Sequence, residues 1–107
     1  LSGGQMKLLE LARCLMADPE VLLLDEPAAG VVPSLAQEIF ERLRQYQQEN
    51  GLTLVVIEHR LDLLFSTVDR VLVMNFGELI ADGLPSEVVK VPAVSEAYMG
   101  TQAKGVV

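Results

Sequence analysis

The hydrophobic positions of this chain follow two periods, which predict helices and strands in alternation. From Gln5 to Ala17, apolar residues recur at the three- and four-residue spacing of an amphipathic helix, and Ser2 is a suitable N-cap. Val21 to Leu24 is an unbroken apolar run, as expected for a parallel strand covered on both faces. Ligands of open parallel sheets bind beyond the carboxyl ends of the strands, so the residues that follow Leu24 are the first candidates for a site.

The rest of the pattern predicts a second strand with helices around it, and then a hairpin. A helix capped by Ser34 should run to about Asn50, where Gly51 ends it. The elements predicted after it are a strand at Thr53–Ile57, a helix from about Leu61 to Thr67, strands at Arg70–Met74 and Glu78–Ala81, a short helix capped by Ser86, and a helix from about Ala93 to Met99. The sequence therefore predicts an α/β fold: a mostly parallel sheet flanked by helices, with a C-terminal β-hairpin and short helices.

Composition limits the chain to one domain and excludes several classes of function. Half of the 107 residues are hydrophobic, which is typical of an aliphatic α/β core. The formal charge of −7 argues against a nucleic-acid partner, which clustered Lys and Arg would bind. Cys14 is the one cysteine, so the chain forms no internal disulfide or thiolate metal site, and a reduced, cytosolic setting fits. No apolar run approaches the roughly 18 residues that a membrane-spanning helix needs.

Three short motifs carry candidate chemistry. The chain opens on Leu1-Ser2-Gly3-Gly4-Gln5, a glycine turn entering a helix, whose free N–H groups and positive helix end can bind phosphate. Asp25 and Glu26 close the first strand and suit a magnesium ion and a water molecule. His59, the only histidine, closes the second strand. Taken singly, each motif is more often structural, and only their combination and order favour nucleotide chemistry.

Together these motifs resemble the C-terminal half of an ABC transporter ATPase subunit, which has a P-loop NTPase-like fold. The resemblance implies that Leu1, Ser2, Gly3, Gly4 and Gln5 form the signature motif and face the γ-phosphate of an ATP held by an opposing subunit. It also implies that Asp25 reaches Mg²⁺ through a water molecule. By the same resemblance, Glu26 orients or deprotonates the attacking water, and His59 is the switch histidine, which contacts the γ-phosphate. The active form would be a homo- or heterodimer, with ATP and Mg²⁺ as cofactors.

Further stretches of the chain look like the branched-chain amino acid importer group. They are EPAAG after the first strand, VVIEH at the second, MNFGELIADGLPSEV in the hairpin and SEAYMG near the end. The resemblance implies ATP hydrolysis that drives import through separate transmembrane permease subunits. The chain would then lie on the cytoplasmic face of the inner or plasma membrane, and its cargo would be chosen by other subunits.

The chain departs from the family pattern at several points. Val32 stands where an acidic or amide residue is usual, and Arg60 replaces the Asp that frequently follows the switch histidine. No GxxxxGK[ST] phosphate loop occurs, so residues 1–107 alone are expected to show no measurable ATPase activity and to be the C-terminal part of one nucleotide-binding domain. Two alternatives stay open: a catalytically inert interaction module, and a soluble ABC-type ATPase that acts on DNA or ribosomes. The negative charge disfavours the second.

Overall fold

A computed structural model describes residues 2–99 of the chain, apart from the side chain of Met99, and contains alternating helices and strands. The helices are α1 (Gly3–Met16), α2 (Pro33–Asn50), α3 (Leu61–Phe65), α4 (Pro85–Val88) and α5 (Pro92–Val94), and the strands are β1 (Val21–Asp25), β2 (Thr53–Ile57), β3 (Val71–Asn75) and β4 (Glu78–Gly83). A π-helical turn, Ser95–Met99, follows α5. The described elements separate into two compact units, with the boundary between Thr67 and Val68.

The first unit is built on a βαβ arrangement, as predicted. Strands β1 and β2 run parallel, and Val21 lies opposite Thr53 and Asp25 opposite Ile57. Because both strands end at the same edge of the sheet, the residues that follow Asp25 and Ile57 are brought side by side. This register positions the candidate site.

The core of the first unit lies along one stripe of α2. Side chains four and three residues apart are buried there and pack on the loop after β1 and on α3. The cluster comprises Ala28, Val31, Ala36, Ile39, Phe40, Leu43 and Leu63. Ile39 and Phe40 are at most 2% exposed, and burial of a side chain of that size contributes roughly 1.5–3 kcal/mol. The loop after β1 is therefore anchored to the core through Ala28 and Val31.

The prediction that β1 is covered on both faces was wrong for this chain. Val21 and Leu23 are 54% and 72% exposed, and Val55 and Ile57 of β2 are 48% and 57% exposed. Leu24, Leu54 and Val56, which alternate with them, pack against the core on α2. The core on α2 covers one face of the sheet, and the other face is exposed. The unbroken apolar run predicts that both faces are apolar, but it does not predict that both are covered.

Two predicted helix caps were also wrong, and proline explains both. The N-cap of α2 is Val32 and not Ser34, and the N-cap of α4 is Leu84 and not Ser86. In each case proline occupies the first helical position. Its fixed φ suits the helix there, and a backbone N–H at this position would have no partner within the helix. The predicted caps Ser2 and Gly51 are confirmed, and Gly51 adopts the left-handed φ of 67° that ends α2.

The second unit contains the predicted hairpin of β3 and β4, which pair antiparallel. Phe76 and Gly77 form its two-residue turn with φ of 47° and 78°, as in a type I′ turn. Arg70 donates two hydrogen bonds to the carboxylate of Asp82, at 2.7 and 2.6 Å, and these bonds lower the pKa of Asp82 below its ordinary value. The predicted final helix is divided into α5 and the π-helical turn.

No helix within residues 2–99 combines the length and the apolar composition that crossing a membrane requires.

Candidate functional site

Glu26 and His59 meet at the carboxyl edge of the parallel sheet. Glu26 follows β1 directly, and His59 lies two residues beyond the end of β2. Glu26 Oε1 and His59 Nε2 are 3.0 Å apart, so the imidazole can donate a hydrogen bond to the carboxylate. The two side chains remain 44% and 70% exposed. The structure therefore brings together two residues that the sequence separates by more than thirty positions, at a place that a substrate can reach.

The backbone of Glu26 is held in an unusual conformation. Its φ is 49°, in the left-handed region that few residue types other than Gly, Asn, Asp and His adopt. The N–H group of Glu26 still donates to the carbonyl of Ile57 at 2.8 Å, and its own carbonyl accepts from Ala29 at 3.1 Å. The chain thus leaves the strand at Glu26 while remaining tied to β2. No local signal in the sequence predicts this turn.

Asp25 is the last residue of β1 and its side chain is exposed at the same edge. The described residues contain no group of three His, Cys, Asp or Glu side chains that could hold a metal ion by themselves. Mg²⁺ in phosphoryl-transfer sites is commonly bound by one or two carboxylates, with water and substrate phosphates as the other ligands. One exposed carboxylate beside Glu26 fits that donor set.

The Ser-Gly-Gly turn lies at the N-terminus of α1 and closes on itself. Ser2 Oγ accepts the Gln5 N–H at 3.1 Å, and the Ser2 N–H donates to Gln5 Oε1 at 3.0 Å. This is a capping box, in which two backbone donors are satisfied reciprocally. The N–H groups of Gly3 and Gly4 precede any acceptor in their own helix, so they remain candidates for an anion. Leu1, the remaining member of the predicted motif, lies outside the described residues.

The two glycines of this turn have different surroundings. A Cβ on Gly4 would lie 2.0 Å from Leu35 Cδ2 and 3.3 Å from Leu35 Cγ, whereas a Cβ on Gly3 would meet nothing within 4 Å. Gly4 is buried and Gly3 is exposed. The absence of a side chain at Gly4 therefore allows α1 to approach α2 closely, and only Gly3 leaves open space toward a ligand.

This difference predicts a difference in stability. Gly4→Ala forces Leu35 into another rotamer or moves α1 away from α2, so we expect it to lower the free energy of unfolding by about 1–2 kcal/mol. Gly3→Ala, the matched control, should change it by less than about 1 kcal/mol, because the new methyl group is solvated. Urea unfolding of the complete protein that contains this chain measures both. Equal stabilities of the two variants would contradict the packing role of Gly4.

The turn between β2 and α3 adds two residues to the site that the sequence analysis did not identify. Glu58 Oε1 accepts the backbone N–H of His59 at 2.9 Å and that of Arg60 at 3.4 Å. Arg60 Nη2 donates to the carbonyl of Val31 at 3.0 Å. The sequence marks Arg60 only as a departure from a family pattern and does not predict this bond. Val32, the other departure, is 62% exposed and offers no polar side chain.

Known proteins resemble this chain over most of its length. The family model described as ABC transporter matches residues 1–29. A probable branched-chain amino acid transport ATP-binding protein, LivG of Methanocaldococcus jannaschii, is 44% identical over 104 residues, which cover 94% of this chain and 40% of that protein. The high-affinity branched-chain amino acid transport ATP-binding protein BraF of Pseudomonas aeruginosa is 39% identical over 100 residues, which cover 94% of this chain and 39% of that protein.

Solved structures of ATP-binding cassettes resemble the fold of this chain. A nucleotide-free ATP-binding cassette from an ABC transporter superposes with a TM-score of 0.82 at 41% identity, covering 92% of this chain and 40% of its own. An ATP-binding cassette in its ADP conformation gives the same TM-score at 42% identity, covering 94% and 41%. The chain thus spans about 40% of the length of these relatives. With the α/β fold and the position of its motifs, the chain belongs to the ABC transporter ATP-binding family and corresponds to a part of the ATPase domain.

Proposed function

We propose that this chain supplies the signature turn, the acidic pair and the switch histidine of an ATP-hydrolysing subunit that powers an ABC transporter. The observation that supports this most directly is the contact between Glu26 Oε1 and His59 Nε2 at the carboxyl edge of the sheet. A carboxylate and an imidazole that lie 3.0 Å apart and are both accessible can bind a water molecule and a phosphate oxygen side by side.

Glu26 is the residue proposed to act on the attacking water. Its carboxylate is accessible, and its backbone is fixed by bonds to Ile57 and Ala29, so its position relative to the strand end is well defined. A carboxylate in this place orients the water and accepts its proton as the bond to phosphorus forms. Such positioning provides much of the rate enhancement in phosphoryl transfer, where the protein does little covalent chemistry.

Asp25 and His59 are proposed to act on the charge of the phosphates. Asp25 would hold Mg²⁺ through its water shell, and the ion would neutralise charge on the transferred phosphoryl group. His59 Nε2, which faces Glu26 here, can instead donate its hydrogen bond to a γ-phosphate oxygen when substrate is present. The imidazole would thereby change partner with the state of the nucleotide.

Ser2, Gly3, Gly4 and Gln5 are proposed to bind the γ-phosphate of an ATP held by a second subunit. The Gly3 side of the turn is open to solvent, while Gly4 packs inward on Leu35. An anion at Gly3 would therefore approach the outer face of the helix end, where another subunit can present its nucleotide. Closure of such a dimer on ATP and its reopening after hydrolysis would move the permease subunits.

The names of the relatives support branched-chain amino acids as the transported solutes. We propose import of leucine, isoleucine and valine, with the chain on the cytoplasmic face of the membrane next to its permease subunits. The uptake of radiolabelled leucine by cells with and without the complete subunit tests this step. Unchanged uptake would contradict the assignment of the substrate. It would not affect the assignment of ATPase activity, which the hydrolysis assay tests separately.

Steady-state ATP hydrolysis by the complete subunit, with and without Mg²⁺, tests the core of the proposal. We expect Mg²⁺-dependent release of phosphate. Ser2→Arg should leave ATP binding by the monomer within about twofold of wild type and abolish ATP-dependent dimerisation, because a bulky cation then fills the turn that the opposing nucleotide must approach. Sedimentation with ATP and a fluorescent nucleotide titration measure the two effects. Loss of monomer binding would contradict the cross-subunit assignment, and no hydrolysis by wild type would overturn the proposal.

A further inference from the structure

Arg60 links the segment that carries His59 to the loop after β1. Its Nη2 donates to the carbonyl oxygen of Val31, 29 positions away in sequence, at 3.0 Å. Val31 is only 4% exposed and belongs to the core cluster, so packing anchors this part of the loop. A guanidinium donor bonded to an anchored backbone acceptor defines the distance between the two segments.

This link is one of several that join the same two segments. The N–H of Glu26 donates to the carbonyl of Ile57 at 2.8 Å, and Glu26 Oε1 faces His59 Nε2 at 3.0 Å. The Ile57 bond lies two residues before His59, and the Arg60 bond lies one residue after it. His59 is therefore held between two attachments to the loop that Glu26 begins.

Arg60 is half-buried, and one atom of its guanidinium group is buried at a cost. Its Nη1 atom is buried without a hydrogen-bond partner, and so is Oε2 of Glu58. Arginine side chains normally turn their charged end toward water, and a buried polar atom without a partner is unfavourable. The neighbouring turn is fixed as well, since Glu58 Oε1 accepts the N–H groups of His59 and Arg60.

We propose that Arg60 is a positioning residue that orients His59 toward Glu26 by tying the end of β2 to the Val31 carbonyl. The His59 side chain is 70% exposed, so packing around the imidazole does little to orient it. The backbone on either side and the contact with Glu26 contribute to its direction. Val32 offers the loop no polar side chain, which leaves a backbone carbonyl as the acceptor that Arg60 uses. This inference rests on the roles of Glu26 and His59 in the proposed function.

Kinetics of variants in the complete subunit test the role. Arg60→Met keeps most of the aliphatic stem and removes every donor, so kcat should fall about 10-fold while KM for ATP stays within twofold. Arg60→Lys keeps a charged donor group and should recover most of the lost kcat. Arg42→Met is the matched control, because Arg42 is an exposed arginine on α2 that bonds to Glu38. An unchanged kcat in Arg60→Met, or an equal loss in Arg42→Met, would overturn the proposal.

A double-mutant cycle separates positioning from a general loss of structure. If Arg60 acts through His59, then Arg60→Met in a His59→Ala background should lower kcat by less than about twofold further. A purely structural role would lower kcat by the same factor in both backgrounds, and that result would reject positioning.

Hydrogen exchange provides a readout that needs no catalysis. The amides of Ala29 and Val31 bond within the loop, at 3.1 Å to the carbonyl of Glu26 and 3.2 Å to that of Ala28. In Arg60→Met these two amides should exchange about 10-fold faster than in Arg42→Met, because the loop loses its second attachment. Unchanged exchange would overturn the link. If the wild-type subunit hydrolyses no ATP, the proposed function fails, whereas this measurement still tests the role of Arg60 in holding the loop.

Discussion

Glu26→Gln in the complete subunit is expected to lower kcat for ATP hydrolysis by about 10²- to 10⁴-fold, the usual contribution of a positioned general base. Glutamine has nearly the same shape but cannot accept the proton of the attacking water. The affinity for ATP should remain within about twofold of wild type, because Glu26 is proposed to act on the water and not on the nucleotide. Phosphate release and nucleotide titration measure the two quantities separately.

The structure offers a control for this experiment. Glu38→Gln makes the same chemical change at an exposed position on α2, where the carboxylate bonds to Arg42 at 2.9 Å. Surface ion pairs of this kind contribute little to stability, so Glu38→Gln should hydrolyse ATP at the wild-type rate. If Glu26→Gln retained wild-type turnover, Glu26 would not be the base, and the contact with His59 would be only structural.

His59→Ala is expected to reduce kcat by about 10²-fold, the typical loss when one donor to a developing oxyanion is removed. The side chain is 70% exposed and is not one of the buried core residues, so the free energy of unfolding should change by less than about 1 kcal/mol. The same phosphate-release assay, together with urea unfolding, measures both expectations.

His59→Gln tests whether the loss of activity in His59→Ala comes from the missing hydrogen-bond donor. Glutamine keeps a side-chain N–H donor of similar reach, so it should recover part of the activity that alanine loses. Recovery would indicate that the donated hydrogen bond is what matters. Equal activity of the alanine variant and wild type would remove His59 from the mechanism.

Local patterns in the sequence were sufficient for the elements and for the places of the motifs. Ser2 caps α1, Gly51 ends α2, and β2 occupies Thr53–Ile57, all as predicted. Each of these features depends on backbone preferences or side-chain periodicity over a few residues, so it can be predicted from the sequence alone. The rule that ligands bind beyond the carboxyl ends of parallel strands placed Asp25 and Glu26 at the site, but the contact of Glu26 with His59 was not predicted.

Features that depend on distant residues were not predictable. The left-handed φ of Glu26 arises because its N–H stays bonded to Ile57 while the loop turns toward the core, and glutamate itself has no preference for that conformation. The close approach of Gly4 to Leu35 depends on the packing of α1 on α2. The bond from Arg60 to Val31 joins residues that no local pattern relates.

By itself, the sequence determined the α/β class, the order of the elements and the three motifs that identify the ABC family, because composition, periodicity and short motifs are properties of neighbouring residues. The tertiary structure alone decided that Glu26 and His59 are 3.0 Å apart, that Gly4 packs inward while Gly3 stays open, and that Arg60 ties the two loops of the site together. These are distances between segments far apart in the chain, and they are set by how α1, α2 and the parallel strands pack around one core.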